Sequence, residues 1–422
     1  MAWRSIVGAV MVSCLVTVAA CPAVKAAPEK DTPAKTTTVN QTDKPSIQYL
    51  ALDAPAGMSK AVVVSGLPLV HTRQLLPLDG KGNLVGEGSA DKQIEQVLDN
   101  LEAVLGAAGS GLDNLVRLNV CALSHETAGR LRELLSKRLK PDVRPAITTV
   151  LTSMTHRKVL VAVDAVAAGA DKGKAVALQR VEAVAGDKDC ADAAVLPPGG
   201  VAYLSGQPEK GGLAASAVNQ SLSKLLGRLK QLKLSPAHVV QLKMFLTPAS
   251  SAGETLEEVK RLFPGQLTPP VVFVEWIASA PVEIELVAQL PPADKAAETV
   301  EFYNPPEVKP SPTFSRVALV HTKRQVFISG LSARSPGDGE AQVRDVFAQL
   351  KEILSETGSD LGHLAKATYY VSDDDASRML NKLRPEFFDP KRPPAASKVT
   401  VHGVGQSERT LTIDMIAVGS SR

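Results

Sequence analysis

The sequence predicts an α+β protein built from three tandem domains. Two observations lead to this prediction: a β-rich run that ends in Ser-Gly occurs three times, and each copy continues as helix, strand, helix, proline step and final strand. The predicted domains cover residues 45–168, 174–292 and 298–419. A leader at 1–26 and a Pro-, Thr- and Lys-rich flexible linker at 27–44 precede them.

Each repeat opens with a strand that closes on a turn. The three runs AVVVSG, VAYLSG and QVFISG end at Ser65-Gly66, Ser205-Gly206 and Ser329-Gly330, and only the second copy continues with Gln207. A strand followed by a turn that glycine permits explains this pattern. Because Ser-Gly is common in turns, the motif gains its weight from the repeat around it.

A helix and a half-buried strand follow in each copy. The helices are predicted from Asp91, Ser216 and Gly339, with apolar residues at spacings of three and four, which indicates one buried face. The next strands begin at Leu115, Val239 and Leu364, and their apolar and polar residues nearly alternate.

The second half of each repeat is a helix, a proline step and a closing strand. The expected helix N-caps are Ser124, then Ser250 or Ser251, then Asp373 or Asp374. The proline steps are Arg144-Pro145-Ala146, Pro269-Pro270 and Pro393-Pro394-Ala395. The closing strands read VLVAVDAVA, PVEIELVA and TLTIDMIAV.

The composition limits the kinds of molecule that the protein is expected to bind. A chain of 422 residues with 44% hydrophobic residues gives each domain a normal core. The net charge of +3 is spread over a mixed surface, and aromatic residues make up only 4% of the chain. Both values argue against a nucleic-acid partner.

The first 26 residues predict export. Arg4 precedes an apolar run from Ile6 to Ala20, which is too short for a transmembrane helix. Two processing routes compete, because the small residues before Ala27 suit ordinary cleavage whereas Val18-Ala19-Ala20-Cys21 resembles a lipobox. The protein is therefore expected to be periplasmic or secreted, or tethered to a membrane through a lipidated Cys21.

No other catalytic pattern is present in the sequence. The seven histidines lack metal-binding spacings and the cysteines form no CxxC, so neither a metal site nor a cofactor is expected. Cys121 and Cys190 lie in different repeats, which favours two buried free thiols over a disulfide.

The combination of Ser-Gly after a strand, the run Gln96-Val97-Leu98-Asp99-Asn100-Leu101, the late proline step and the EIELVA-type strand resembles the Rid/YjgF family. The resemblance covers about residues 45–419 and implies a chorismate-mutase-like fold, in which two helices cover a mixed β-sheet. It also implies trimers with ligand clefts between subunits. Three copies in one chain would then form a single-chain pseudo-trimer. The alternative is three domains that pair with other chains.

Site residues follow from the same resemblance. Active members carry an arginine after the proline-alanine step that binds the substrate carboxylate, and this sequence has Ile147, Val271 and Ala396 there. Arg144 and Arg392 lie shortly before that position. The family's water-positioning acid corresponds to Asp164, Glu285 and Asp414, for which a structural ion pair is the alternative. The Ser-Gly pairs and Gln207 correspond to its cleft residues.

These residues support two main hypotheses. The first is a divergent Rid-type protein whose clefts bind a small molecule without the arginine. The second is an imine or enamine deaminase acting on a substrate without a carboxylate, with Glu285 positioning water and Ser205 stabilising charge. A protein-interaction scaffold is a further alternative, and whether the protein is an enzyme stays open.

Overall fold

A computed structural model describes residues 44–292 and 298–420. The leader at 1–26 and the linker, apart from Lys44, lie outside these residues. Each repeat contains the elements strand, strand, strand, helix, strand, helix, strand, strand, and the third repeat has one additional two-residue strand.

The elements have the following bounds. The first repeat contains β1 Ser46–Leu50, β2 Ala61–Ser65, β3 Leu69–Thr72, α1 Ala90–Ala107, β4 Leu115–Ala122, α2 His125–Arg138, β5 Ala146–Leu151 and β6 Val161–Ala168. The second contains β7 Ala177–Gln179, β8 Ala193–Leu196, β9 Gly200–Glu209, α3 Ala214–Gln231, β10 Val239–Leu246, α4 Ala252–Arg261, β11 Val271–Glu275 and β12 Val282–Leu290. The third contains β13 Val300–Tyr303, β14 Val317–Val320, β15 Arg324–Leu331, α5 Gly339–Glu356, β16 Leu364–Val371, α6 Asp374–Phe387, β17 Ala395–Thr400, β18 Gly403–Val404 and β19 Leu411–Val418.

The helices form where the periodicity predicts them. In α1, Ile94, Val97, Leu98 and Leu101 are fully buried against the sheet, and burying each such side chain stabilises the fold by about 1.5–3 kcal/mol. The N-cap side chains of Ser124 and Asp373 accept hydrogen bonds from backbone N–H groups of α2 and α6. The predicted α+β class with three repeats is confirmed.

Three mixed sheets form the centre of the molecule, and each combines strands from two or three repeats. Their strand orders are β1-β2-β15-β19-β16-β17, then β11-β10-β12-β9-β14-β13, then β18-β5-β4-β6-β3-β8-β7. The first two strands of each repeat therefore extend the sheet of another repeat, in a closed cyclic order.

This strand exchange joins the repeats through main-chain hydrogen bonds. In one example, β2 of the first repeat pairs antiparallel with β15 of the third over five residues, from Ser65–Arg324 to Ala61–Ile328. The described residues, 44–292 and 298–420, belong to one compact unit. The repeats are consequently one folded body with internal pseudo-threefold symmetry, and the sheet boundaries do not coincide with the repeat boundaries in the sequence.

Candidate functional site

The three predicted acids occupy equivalent positions in the three sheets. Antiparallel pairing places Asp164 opposite Asn119, Glu285 opposite Lys243, and Asp414 opposite Thr368. All three carboxylates are buried, with at most 3% exposure. They converge with side chains of all three repeats where the inner faces of the sheets meet.

Three positively charged side chains lie beside these acids. We call the six residues together the axial layer: Arg117, Lys243, Lys366, Asp164, Glu285 and Asp414. The Lys366 Nζ lies 2.6 Å from a Glu285 carboxylate oxygen, which joins the third repeat to the second. Arg117 of the first repeat forms an ion pair with Asp414 of the third. Asp164 accepts a hydrogen bond of 2.7 Å from Asn119. Formal charges therefore balance within the layer.

Apolar clusters enclose the axial layer on both sides. Along β6, Ala162, Asp164 and Val166 project from the same face of the strand, and the two apolar residues belong to separate buried clusters. Burial raises the pKa of Glu285, but the neighbouring Lys366 and Lys243 outweigh that effect and hold it below its usual value. The layer surrounds a cavity of only about 30 Å³.

In the axial layer, Glu285 and Asp414 form ion pairs, and Asp164 accepts a hydrogen bond from Asn119. Glu285 lines the small axial cavity, whereas none of the three acids lines either of the two larger cavities between repeats described below. Their catalytic role stays a prediction, and the structure supplies each with a polar partner.

Ser205 and Ser329 connect neighbouring repeats. The Ser329 hydroxyl donates to the Ser59 carbonyl and accepts a 3.1 Å hydrogen bond from the Ile147 N–H. The Ser205 hydroxyl donates to the Ser315 carbonyl and accepts a 2.7 Å bond from the Ala396 N–H. Both serines thus hold the edge of a cleft, while Gln207 turns toward Arg228 on α3.

The first repeat departs from the predicted alignment. Ser65 ends β2, the second strand of its repeat, and Gly66 follows it, whereas Ser205 and Ser329 lie on β9 and β15, the third strands of their repeats. The counterpart of β9 and β15 is β3, because His71, Tyr203 and Phe327 pair with Val166, Val287 and Ile416 in the same register. Ser65-Gly66 is therefore not equivalent to the other two Ser-Gly pairs, because Arg73-Gln74 occupies that position; its role as a cleft residue pair stays a prediction. Two adjacent β-rich runs, separated by only three residues, made the registers indistinguishable in sequence.

The third–first cleft lies between those two repeats. The third repeat contributes Ser329, Gly330 and Thr412, and the first contributes Ile147 and Arg132. The cavity has a volume of about 70 Å³. Ile147 pairs with Leu118 in the parallel ladder, as Val271 pairs with Leu242 and Ala396 with Ala367, which places the three residues after the proline step in equivalent positions.

The first–second cleft contains the largest cavity among those described, about 280 Å³. Leu76 and Leu78 line one side, and Leu256, Val271 and Phe273 line the other. The Arg73 guanidinium is held at the edge by Asp192, at 2.6 Å. Cys190 also lines this cavity, and both it and Cys121 are buried free thiols whose pKa burial raises, to about 11 and about 12.

In the second–third cleft, the Glu283 carboxylate lies beside Gly206 of its own repeat and Ser397 of the third repeat, and sequence reasoning missed this residue. A Cβ at Gly206 would collide with the Glu283 carboxylate and the Ser397 hydroxyl, so glycine lets the carboxylate lie against the backbone. Burial raises the pKa of Glu283 to about 7, with a further contribution from Glu285. The signal was the EIE sequence, which places two acids on one face of β12.

Neither arginine near the proline steps enters a cleft cavity. Arg392 pairs with Glu298 and donates to the Gly362 carbonyl at 3.0 Å. Arg144 is exposed. Within residues 44–292 and 298–420, no group of three His, Cys, Asp or Glu side chains is arranged to hold a metal ion. No helix in the same part of the chain has the length and apolar character needed to span a membrane.

The fold and its clefts define a class: a chain of three α+β repeats joined by strand exchange, with cavities where repeats meet. The family model described as Endoribonuclease L-PSP matches residues 50–169 and 306–419, more than half of the chain. The chain therefore belongs to the endoribonuclease L-PSP, or Rid/YjgF, family. The second repeat falls between the matched segments but has the same order of elements.

Relatives of this chain have about the length of one repeat. A RutC family protein of Synechocystis is 30% identical over 123 residues, which cover 29% of this chain and 93% of that protein. Protein DfrA of Myxococcus xanthus is 30% identical over 112 residues, covering 25% of this chain and 84% of that protein. A solved Rid-family structure from Yersinia pestis is 23% identical, covers 29% of this chain and 98% of its own, and has a TM-score of 0.25.

Proposed function

We propose that this protein is an exported, divergent Rid-family member whose clefts between repeats bind small molecules without the family's arginine. The observation that carries the proposal is the shared register of Ile147, Val271 and Ala396. None of these side chains forms the bidentate hydrogen bonds that an arginine makes with a carboxylate.

The first–second cleft suits an uncharged, mostly apolar ligand. Leu76, Leu78, Leu256 and Phe273 are only partly buried although they converge on one cavity. Ligand sites are typically concave and lined by apolar and aromatic side chains. The charged side chains that line this cavity already have partners within the chain: Arg73 pairs with Asp192, which also binds Arg180, and Asp187 pairs with Lys260. A ligand without a carboxylate therefore matches this surface.

Binding of benzamide and benzoate to the full chain, followed by ligand-observed NMR, tests this proposal. Benzamide is expected to bind and benzoate to bind at least tenfold more weakly, because a buried carboxylate without a partner is costly. Leu256→Trp fills the cavity and should abolish benzamide binding. Leu226→Trp, at a half-buried leucine of α3 outside the cavity, is the control. Equal binding to both variants would contradict the assignment.

Glu283 favours a second candidate function, hydrolysis of imines or enamines in the second–third cleft. Its pKa of about 7 suits a group that takes up and releases a proton near neutral pH. The Ser205 hydroxyl and the Gly206 backbone lie on the same cleft edge. Glu285 is less suited, because Lys366 keeps it ionised.

Hydrolysis is tested by generating simple alkyl imines and 2-aminoacrylate in situ and measuring carbonyl and ammonia release. If the deaminase candidate is correct, alkyl imines turn over, 2-aminoacrylate does not, and Glu283→Gln removes the activity while Glu254→Gln retains it. Glu254 is an exposed acid on α4. Turnover unaffected by Glu283→Gln would exclude the residue. No turnover of any imine, with benzamide binding intact, would leave the binding function.

Export rests on residues 1–26 and is part of the proposal. Fractionation of cells that express the full chain should recover it outside the cytoplasm. A Cys21→Ala variant distinguishes the processing routes, since loss of membrane association would support lipidation at Cys21. Unchanged soluble export of that variant would support ordinary cleavage. Recovery of the full-length chain in the cytoplasm would contradict export.

A further inference from the structure

The third–first cleft carries positive charge that its own residues do not neutralise. Arg132 on α2 is half-buried and lines the cavity, yet it takes part in none of the hydrogen bonds or ion pairs found in the described part of the chain. Its neighbours on α2 are engaged: Arg130 binds Asp91 and Glu133, and Arg138 binds Asp99. An unpaired guanidinium in a cavity is available to a ligand.

Lys60 adds a second positive charge to the same cavity. Its Nζ lies 3.5 Å from the Asp53 carboxylate, whose side chain is 71% exposed. Such exposed pairs contribute little. No acidic side chain lines the cavity. Lys60 and Arg132 therefore give it a net positive charge.

In the second–third cleft, the equivalent positive charge has an acidic partner from the chain itself. Lys60 and Arg316 are equivalent, because their carbonyl groups accept hydrogen bonds from the N–H groups of Ser329 and Ser205. Glu283 lies near Arg316 and interacts with its charge. In the third–first cleft, Thr412 stands where Glu283 stands in the other. The third–first cleft therefore has no acidic side chain at the position that Glu283 occupies in the second–third cleft.

The other lining groups restrict the ligand further. Thr149, Thr412 and Gln406 offer neutral hydrogen-bonding groups, while Met58 and Ile147 form an apolar part of the wall. The volume of about 70 Å³ excludes drug-sized molecules. We propose that the third–first cleft binds a short-chain monocarboxylate, whose carboxylate is held by Arg132 and Lys60 and whose apolar tail contacts Ile147.

This inference rests on the proposed ligand-binding role of the clefts and relocates the carboxylate-binding group from the strand to α2. It assigns the third–first cleft a charged ligand and leaves the first–second cleft to an uncharged one. Because the planar guanidinium matches a carboxylate, Arg132 rather than Lys60 should determine specificity.

Calorimetric titration of the full chain with butyrate and with butyramide tests the inference. Butyrate is expected to bind, and butyramide, which has the same shape without the charge, should bind at least about tenfold more weakly. Arg132→Gln should weaken butyrate binding by about tenfold or more. Arg130→Gln, on the same helix but facing Asp91, should leave it unchanged.

Benzamide binding at the first–second cleft separates failure of this inference from failure of the proposed function. If benzamide binds but butyrate does not, or if butyrate binds equally to the wild type and to Arg132→Gln, the assignment of Arg132 is overturned. Should Arg132→Gln fail to fold, Lys60→Gln provides the second variant, with weaker butyrate binding expected. Equal affinity for butyrate and butyramide would also overturn the inference.

Discussion

Removing one charge from the axial layer should destabilise the whole molecule. Glu285 is 2% exposed, and Lys366 supplies its ion pair at 2.6 Å. Thr368 contributes a weaker contact at 3.3 Å. Replacing Lys366 with Met keeps the length of the side chain but leaves a buried carboxylate without its main partner. Breaking a buried pair in this way costs about 3–5 kcal/mol.

The structure places the expected loss toward the lower end of that range, about 3 kcal/mol, because Lys243 also lowers the pKa of Glu285 and partly compensates. The double variant Lys366→Met/Glu285→Gln removes both charges and should recover most of the stability. Lys398→Met is the control. Lys398 is also half-buried, but its Nζ donates to the neutral Ser377 hydroxyl at 2.8 Å.

Urea denaturation followed by the fluorescence of Trp276 measures the effect. Trp276 is the only tryptophan after the leader, and it belongs to an apolar cluster that encloses the axial layer. Its emission should report unfolding of the shared centre. A loss below about 1 kcal/mol for Lys366→Met, the range of an exposed pair, would refute the argument. So would a double variant as unstable as the single one.

Two further predictions concern pH. Folding raises the pKa of Glu283 from 4.5 to about 7. The free energy of unfolding should therefore fall by about 3 kcal/mol as pH rises through that interval, because the folded state holds the proton more tightly. Urea midpoints of Glu283→Gln should lack this loss, and an unchanged pH profile would contradict it. Burial lowers the pKa of His71 from 6.5 to about 4, so its contribution is lost as pH falls through that interval. His71→Phe, which introduces the residue found at Phe327, should retain stability at pH 4, as thermal unfolding at pH 4 and 7 can check.

The positions of the helices and central strands follow from local patterns. Spacings of three and four residues identified α1, and near alternation placed the start of β4 at Leu115, as the structure has it. These patterns are legible in sequence because burial of one face has a fixed period in each element. The equivalence of Asp164 and Glu285 was also predictable, since both lie at a constant position in the closing strand.

The tertiary structure decided the register of the first repeat and the environment of the acids. Sequence alone did not distinguish β2 from β3, because both are short apolar runs and only their sheet partners differ. The raised pKa of Glu283 and the unpaired charge of Arg132 depend on which side chains another repeat places opposite them. Sequence therefore determined the elements, the repeat and the candidate positions. Strand exchange decided which charges meet, because ion pairing and desolvation depend on neighbours distant in the chain.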